Sequence, residues 1–249
     1  GKEKRAMELH LDDGIQFGLG LFETIAVSNG TPVLLSYHLE RLCHSMDELG
    51  IVQSVTEETI QSYLKGRDCS HHALKVMVSE KNCIVTLRPN PYTKERYQAG
   101  FRMEYSSVYR NETSSLTRHK TMNYGDCILE KRRATAMGID ELVFCNSKGE
   151  LCETTASNLF FRSGSTVYTP PVSCGLLPGV LRRYLMERFP VTETILHPED
   201  VAQMEECFVT NSLMGIMPVR SLGNVDFFSH TAAQHCMAQY QADQKILIL

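Results

Sequence analysis

Hydrophobic and polar residues follow a strand pattern and then a helix pattern near the start of the chain. An apolar and β-branched stretch covers residues 21–28, Asn29-Gly30 follows, and a second stretch covers residues 31–35. Asn-Gly tolerates the positive φ angles of a type I′ turn, so this pattern predicts a β-hairpin. Apolar residues then recur at helical spacing over residues 39–49, and Gly50 predicts the end of that helix.

The rest of the first half predicts one shorter helix and three strands. Thr56 is a good helix N-cap, and Glu57 and Glu58 favour the positive end of the helix dipole. Strands are predicted over residues 74–79, 83–87 and 101–109. The first half is therefore expected to contain mostly antiparallel strands with two or three helices.

A polar, hydroxyl-rich segment at residues 110–118 has the composition of an interdomain linker. The elements predicted after it are helices over residues 122–137, 180–189 and 229–245, a short helix near Pro198, and strands over residues 141–145, 158–162, 166–169 and 207–210. This order predicts an α+β protein of two domains. We place an N-terminal domain at residues 1–112, a linker at 113–119 and a C-terminal domain at 120–249.

Charge and composition exclude several classes of partner. The 249 residues include 25 Lys and Arg against 29 Asp and Glu, and a net charge of −4 does not suit nucleic acid or an anionic membrane. The longest apolar runs are far shorter than the ~20 residues of a membrane span. The first five residues are charged and no apolar signal stretch follows them, so a cytoplasmic location is predicted.

Nine cysteines are an odd number, and no two form a C-x-x-C pair. Most lie in apolar runs, as Cys145 does after Leu142-Val143-Phe144. This pattern predicts reduced thiols that pack as small hydrophobic residues, with neither a disulfide framework nor a zinc site. No metal is therefore expected.

One candidate for chemistry is the segment from His119 to Tyr124. Residues four apart on a helix share a face, so the Lys120 amine and the Tyr124 phenol can point into one site. The simpler alternative is a solvated lysine at the start of a helix, and this fragment alone favours that alternative.

Two further segments lie later in the chain. Glu153 precedes small hydroxyl residues and an apolar strand, where a buried carboxylate is costly unless a cation meets it. An exposed glutamate at a strand end is the commoner case. Gly175 and Gly179 lead into the helix over 180–189, and free N–H groups at a helix start bind phosphate. Glycine before a helix is, however, usually only a turn.

Taken in order, these segments resemble the class IV aminotransferase family, the fold-type IV enzymes that depend on pyridoxal phosphate (PLP). The resemblance runs from about residue 11 to residue 227. It rests on Phe17-Gly18-Leu19-Gly20-Leu21-Phe22-Glu23-Thr24, on His38-Leu39-Glu40-Arg41-Leu42, and on residues 120–124, 153–160, 169–180 and 210–219. It implies a smaller N-terminal α/β domain, a larger C-terminal mixed α/β domain, a small-molecule amino substrate and a homodimer.

The resemblance also implies a role for each matching residue. Lys120 matches the lysine that binds PLP covalently and then moves protons. Glu153 matches the carboxylate that keeps the pyridine nitrogen protonated, which implies the pyridinium as its cation. Arg41 matches the arginine that pairs with the phosphate, and Tyr124 matches the tyrosine that hydrogen-bonds the ring hydroxyl. The remaining phosphate ligands implied are the backbone N–H groups of Val180 and Leu181 and the side chain of Ser212.

Two strings favour one reaction within the family. Lys120 and Asn123 have the spacing of D-amino-acid aminotransferases and aminodeoxychorismate lyases, and residues 210–219 resemble the lyases more closely. The resemblance thus implies a lyase that converts 4-amino-4-deoxychorismate to 4-aminobenzoate and pyruvate, a step toward folate. A D-amino-acid or branched-chain aminotransferase is the first alternative, and a catalytically inactive binding protein of this fold is the second.

One departure from the family pattern concerns the substrate. Many relatives have a long glycine- and arginine-rich loop in the first domain, whereas only residues 79–82 join the two strands here. An arginine often credited with holding a substrate carboxylate is therefore missing. Arg88 and Lys81 are the candidate replacements.

Overall fold

An antiparallel sheet of four strands forms the first part of the chain, which the computed structural model describes over residues 8–246. The strands are β1 (Leu21–Ser28), β2 (Thr31–Pro32), β3 (His71–Val78) and β4 (Cys83–Pro89), and the helices are α1 (Asp13–Phe17), α2 (Leu35–Leu49) and α3 (Glu57–Leu64). The strand order is β2-β1-β3-β4. Helices α2 and α3 cover the sheet through an apolar core that includes Ile25, Leu42 and Ile60.

The local signals in this part of the chain are confirmed. Asn29 and Gly30 have φ angles of 48° and 79°, as a type I′ turn requires. Helix α2 ends at Gly50, whose φ of 68° lies in the left-handed region that favours glycine. The Thr56 side chain accepts a hydrogen bond from the Thr59 N–H and so caps α3.

Nine strands form a second, larger sheet. They are β5 (Phe101–Tyr105), β6 (Glu141–Cys145), β7 (Leu151–Thr154), β8 (Asn158–Ser163), β9 (Thr166–Thr169), β10 (Val191–Glu193), β11 (Glu206–Asn211), β12 (Gly215–Leu222) and β13 (Val225–Asp226). Their order is β10-β9-β8-β11-β12-β5-β6-β7, with β13 paired to β12. Strand β7 also meets β8 at the pair Glu153–Asn158, so the six strands from β8 to β7 close into a ring.

Helices cover the outside of this larger sheet, and apolar side chains pack on both of its faces. The helices are α4 (Lys94–Ala99), α5 (Gly125–Ala136), α6 (Val180–Arg188) and α7 (Thr231–Gln244), and short 3₁₀ helices cover Ser115–Arg118, Val172–Cys174 and Pro198–Gln203. Along β11, Val209 joins the core shared by the ring strands, whereas Phe208 joins the layer under α6 and α7. Because side chains alternate along a strand, Thr210 points to the α6 side.

The α+β class is confirmed, but two element predictions are wrong. The strand predicted over residues 101–109 ends at Tyr105, and the helix predicted over residues 122–137 covers only Gly125–Ala136. Lys120 therefore does not share a helix with Tyr124. Strands β7 and β12 were not predicted, because turn residues and glycine interrupt their apolar pattern.

The two-domain division into residues 1–112, 113–119 and 120–249 stays a prediction. Strand β5 precedes the predicted linker, yet it pairs in parallel with β12 and β6 of the larger sheet. Apolar alternation predicts which face of a strand is buried, but it does not predict which strand will pair with it. The linker itself contains the 3₁₀ helix Ser115–Arg118.

The N-terminal charges at residues 1–5 lie outside the described residues. Within residues 8–246, no helix is long and apolar enough to cross a membrane. All nine cysteines fall in this range and are free thiols, and seven of them are buried.

Candidate active site

A cavity of about 680 Å³ lies between the smaller sheet and the larger one. All seven residues named from the sequence line it: Arg41, Lys120, Tyr124, Glu153, Val180, Leu181 and Ser212. The structure therefore brings the predicted residues to one place, while the role of each stays a prediction.

Lys120 lies in an extended segment beside β1, and its amine faces the cavity. Its carbonyl accepts a hydrogen bond from the Phe22 N–H at 2.9 Å, which fixes the backbone at the lysine. The Nζ atom lies 4.5 Å from the centroid of the Phe22 ring and 5.1 Å from that of Tyr124. Burial, and then the charge of Arg41, lowers the pKa of Lys120 to about 8. An amine with this pKa is a better nucleophile near neutral pH than a surface lysine.

Tyr124 reaches the same place without sharing a helix with Lys120, because it is the N-cap residue of α5. Its ring packs edge-on against Phe22, with the ring centroids 5.2 Å apart. Its hydroxyl donates to the Thr155 carbonyl at 3.1 Å. Burial raises the pKa of the phenol well above its usual value, so the hydroxyl keeps its proton and remains a hydrogen-bond donor.

Glu153 lies on β7 and is only 6% exposed, so the alternative of an exposed strand-end glutamate is wrong. Its Oε1 accepts a hydrogen bond from Arg110 Nη2 at 2.5 Å, and its Oε2 accepts one from the Leu177 N–H at 3.1 Å. Burial raises the pKa of Glu153, and the Arg110 charge opposes that rise. The protein thus supplies its own cation to this carboxylate, from Arg110 at the start of the polar segment 110–118.

Arg41 is held in place by a carboxylate on β1. Its Nε and Nη2 donate to Glu23 at 2.8 and 2.6 Å, and its Nη1 donates to the Pro178 carbonyl at 3.2 Å. His38 Nδ1 lies 2.6 Å from the same carboxylate. Burial alone would raise the pKa of Glu23, but Arg41 and His38 outweigh it and lower that pKa to about 2. The guanidinium is therefore fixed at the cavity wall by a permanent negative charge.

The first turn of α6 reaches the cavity through Val180 and Leu181. The first N–H groups of a helix have no partner within the helix, and they favour an anion. Gly179 lies just before them, and a Cβ there would come within 2.1 Å of Asn158 Oδ1. Glycine at this position therefore lets the helix start pack directly against β8.

Two buried hydroxyls of the cavity wall lack a protein partner. Ser157 precedes β8, and Thr210 on β11 pairs with Asn158 on β8, so the two hydroxyl residues are close neighbours. Within residues 8–246, neither Ser157 Oγ nor Thr210 Oγ1 has a hydrogen-bond partner. A buried hydroxyl without a partner costs about 1–3 kcal/mol, so a ligand that supplies acceptors here is favoured.

Ser212 lies in the turn between β11 and β12, and Asn211 shapes that turn. The Asn211 Oδ1 accepts hydrogen bonds from the N–H groups of Leu213 and Met214 at 3.0 and 2.9 Å. Its Nδ2 donates to the Ala156 carbonyl at 3.2 Å. Ser212 is thereby placed next to the loop that carries Ser157.

These groups fit the chemistry of PLP. A buried amine with a lowered pKa suits an aldehyde, and a buried carboxylate suits a protonated ring nitrogen. A fixed guanidinium, a helix start and unpartnered hydroxyls are the donors that a phosphate requires. The residues that carry these three parts are Lys120, Glu153 with Arg110, and the set of Arg41, Val180, Leu181, Ser157 and Thr210.

The smaller sheet lines the opposite side of the cavity with Lys75 and Arg88. Lys81 does not line it, because the short turn that carries it is tied to the N-terminal segment. The Asp12 carboxylate accepts from the Ser79 hydroxyl at 2.6 Å and from the Lys81 N–H at 2.8 Å, and Lys81 Nζ donates to the Leu11 carbonyl at 3.3 Å. Of the two candidate carboxylate binders, only Arg88 is at the cavity.

Several residues of this site were missed in the sequence. Glu23 carries a usable signal, because it is a lone acid in an apolar strand and its strand is followed by a helix with His38 and Arg41 three residues apart. Arg110 carries no such signal, since it stands among polar residues. Lys75, Ser157 and Thr210 were also missed.

Known proteins share this fold and sequence pattern. The model of the family described as amino-transferase class IV matches residues 20–222. The aminodeoxychorismate lyase of Bacillus subtilis (strain 168) is 26% identical to this chain, over 92% of the chain and 86% of its own length. The D-alanine aminotransferase of Bacillus licheniformis is 23% identical over 85% of the chain and 81% of its own length. The crystal structure of 4-amino-4-deoxychorismate lyase from Pseudomonas aeruginosa covers 96% of each chain with a TM-score of 0.85 at 24% identity, which shows a common fold.

Proposed function

Because this chain belongs to the amino-transferase class IV family, whose members are PLP enzymes, we propose that it binds PLP in the cavity and acts as a lyase. The proposed reaction converts 4-amino-4-deoxychorismate to 4-aminobenzoate and pyruvate. The observation that carries the proposal is the meeting of Lys120, Glu153 and Arg41 in one cavity. The relative from Bacillus subtilis, named for this reaction and matched over 92% of the chain, supports the choice of substrate.

Each part of the cofactor has a proposed holder. Lys120 would bind the aldehyde carbon, Glu153 the ring nitrogen and Tyr124 the ring hydroxyl. The phosphate would be bound by Arg41, the start of α6, Ser157, Thr210 and Ser212. When bound, PLP supplies an aldehyde that captures the substrate amine and a ring that takes up electron density from the adjacent carbon.

Glu153 keeps a negative charge at the place proposed for the ring nitrogen. Arg110 donates to it at 2.5 Å and the Leu177 N–H at 3.1 Å, so both carboxylate oxygens are oriented before any ligand binds. Such preorganised charges cost no reorganisation during the reaction, and they contribute more in a water-excluded site than in water.

Lys120 is proposed to move the proton of the reaction. With a pKa of about 8, its protonated and neutral forms are both populated near neutral pH. The neutral amine takes the proton from C4 of the substrate, and the resulting ammonium gives a proton to the leaving ether oxygen. The C4–H and C3–O bonds break, the ring becomes aromatic, and the oxygen leaves as the enol of pyruvate. The reaction needs no oxidant and no second substrate.

An aminotransferase is the second candidate, and the likeness to the D-alanine aminotransferase of Bacillus licheniformis supports it. The same groups at Lys120, Glu153 and Arg41 serve both reactions, so they do not choose between them. An inactive binding protein is disfavoured, because it has no need for a buried amine, a paired carboxylate and a fixed guanidinium together.

The test is to incubate the PLP-loaded protein with 4-amino-4-deoxychorismate and to measure both products. The lyase predicts equal amounts of 4-aminobenzoate and pyruvate with no added keto acid, and none from Lys120→Ala. A transaminase instead stops after one turnover until a keto acid is supplied. Steady transamination of D-alanine with 2-oxoglutarate, together with no 4-aminobenzoate, would overturn the lyase and leave the cofactor site intact.

We also propose a cytoplasmic homodimer. Four large apolar side chains are exposed within nine residues: Leu9, Leu11, Ile15 and Phe17. An exposed apolar patch of this kind is typical of a surface that another protein chain covers. Nine free cysteines suit a reducing compartment. Light scattering on the purified protein tests the dimer, and a monomer at micromolar concentration contradicts it.

A further inference from the structure

The basic side chains of the cavity divide into two groups according to their partners. Three already have a carboxylate: Arg41 with Glu23 at 2.6 Å, Arg96 with Asp140 at 3.2 Å and Lys131 with Glu141 at 2.6 Å. The other three are Lys120, Lys75 and Arg88, and none of them forms an ion pair with any residue in the range 8–246. Lys120 is accounted for by the proposed chemistry. Lys75 and Arg88 are two cations of the cavity wall that no acid of the described chain neutralises.

Lys75 and Arg88 lie on the same face of the smaller sheet. Lys75 pairs with Thr86 across β3 and β4, and Arg88 is two residues further along β4, so the two cations are diagonal neighbours. The Arg88 guanidinium reaches the neighbouring Pro89 carbonyl at 3.3 Å. Both side chains are therefore free to meet the same anion.

Lys75 is also close to the reacting amine. Its Nζ lies 4.5 Å from the centroid of the Phe22 ring, the same distance as Lys120 Nζ. No more than one aromatic ring thus separates the two amines. Burial, and then the charge of Arg88, lowers the pKa of Lys75, so the Lys75 cation is destabilised where it stands and an anion beside it would stabilise it.

We infer that Lys75 and Arg88 form a carboxylate subsite that selects dicarboxylate amino substrates. The inference rests on the proposed function, because the substrate of the lyase carries two carboxylates on a ring scaffold. With the substrate amine at Lys120, a carboxylate one ring away meets Lys75 and Arg88. An aliphatic side chain at the same place would leave both cations unpaired and partly desolvated, so a branched-chain amino acid is selected against.

The experiment measures how tightly the PLP-loaded protein binds chorismate, by calorimetry. Chorismate has both carboxylates of the proposed substrate but a hydroxyl in place of the reacting amine, so it binds without reacting. We expect Lys75→Met and Arg88→Gln each to weaken binding about tenfold or more, because each removes a charge-assisted contact. Lys75→Arg should bind chorismate like the unmodified protein. Lys81→Gln is the matched control, because it removes the same charge from the turn between β3 and β4, outside the cavity.

The outcomes distinguish this inference from the proposed function. Equal chorismate affinity in Lys75→Met, Arg88→Gln and Lys81→Gln overturns the subsite, and so does a parallel loss of PLP affinity in the first two variants. If chorismate binding depends on Lys75 and Arg88 but no 4-aminobenzoate is formed from aminodeoxychorismate, the subsite stands and the proposed lyase reaction fails.

Discussion

The pair of Arg110 and Glu153 gives a prediction with a magnitude and a pH dependence. Arg110→Met removes the guanidinium and leaves Glu153 buried with one remaining partner, the Leu177 N–H at 3.1 Å. The two side chains are 15% and 7% exposed, so the pair is shielded from water. Breaking a buried pair costs about 3–5 kcal/mol, and the remaining hydrogen bond favours the lower end of that range. We expect the free energy of unfolding to fall by about 3 kcal/mol near pH 8.

The loss should shrink as the pH falls. Burial already raises the pKa of Glu153, and removing Arg110, which opposes that shift, raises it further. A carboxyl whose pKa is higher in the folded than in the unfolded state binds its proton more tightly when folded, so stability is lost as the pH rises through that interval. The deficit of the variant should therefore be clearly smaller at about pH 5.5 than at about pH 8.

Urea unfolding, followed by circular dichroism on protein stripped of cofactor, measures the effect, because the chain has no tryptophan to report fluorescence. Adding Glu153→Gln to Arg110→Met should restore most of the stability, since the neutral amide needs no cation. Arg133→Met is the control: its side chain is 50% exposed and its ion pair with Glu130 spans 3.5 Å, so we expect a loss of about 1 kcal/mol or less. A deficit that is equal at both pH values, and that Glu153→Gln does not relieve, would refute the reasoning.

Three further predictions concern the cofactor site. Arg41→Lys should weaken PLP affinity about tenfold in an absorbance titration, because lysine lacks the planar fork of the guanidinium, while turnover at saturating PLP should stay nearly unchanged. Unchanged affinity would mean that the phosphate does not bind beside α2. Thr210→Val should also weaken PLP affinity. The cofactor-free variant should be as stable in urea as the unmodified protein or more stable, because the substitution removes a buried hydroxyl without a partner. Lower stability without lower PLP affinity would contradict a role for Thr210 in binding the cofactor. In the cofactor-free protein, the rate of Lys120 acylation should reach half its maximum near the lysine pKa of about 8, because only the neutral amine reacts and it accumulates as the pH rises. A half-maximal rate only above pH 10, as for an exposed lysine, would show that burial does not lower this pKa.

Features decided by neighbouring residues were predictable from the sequence. Asn29-Gly30, Gly50 and Thr56 each fix a backbone conformation by their own chemistry, and the structure has a turn, a helix end and a cap at these positions. Strand pairing depends on distant residues, so the place of β5 in the larger sheet was not predictable from its own alternation.

In the site, too, the sequence predicted features that depend on neighbouring residues and missed those that depend on distant ones. The sequence segments around Lys120, Glu153 and Arg41 were sufficient to predict residues that meet in one cavity. The prediction that Lys120 and Tyr124 share a helix face was wrong, because both precede the first residue of α5. The partners of these groups were missed. Arg110 lies 43 residues before Glu153, and Glu23 lies 18 residues before Arg41, so only the folded chain shows that they meet.

Lys120 is the proposed cofactor lysine, and peptide mapping after borohydride reduction of the PLP-loaded protein identifies the lysine that carries the pyridoxyl group. Lys75 is a built-in comparison, because its amine lies at the same 4.5 Å distance from the Phe22 ring and is also partly buried. We expect the pyridoxyl group on Lys120 and none on Lys75. A pyridoxyl group on Lys75 or on any other lysine, with Lys120 unmodified, would show that Lys120 does not bind the cofactor.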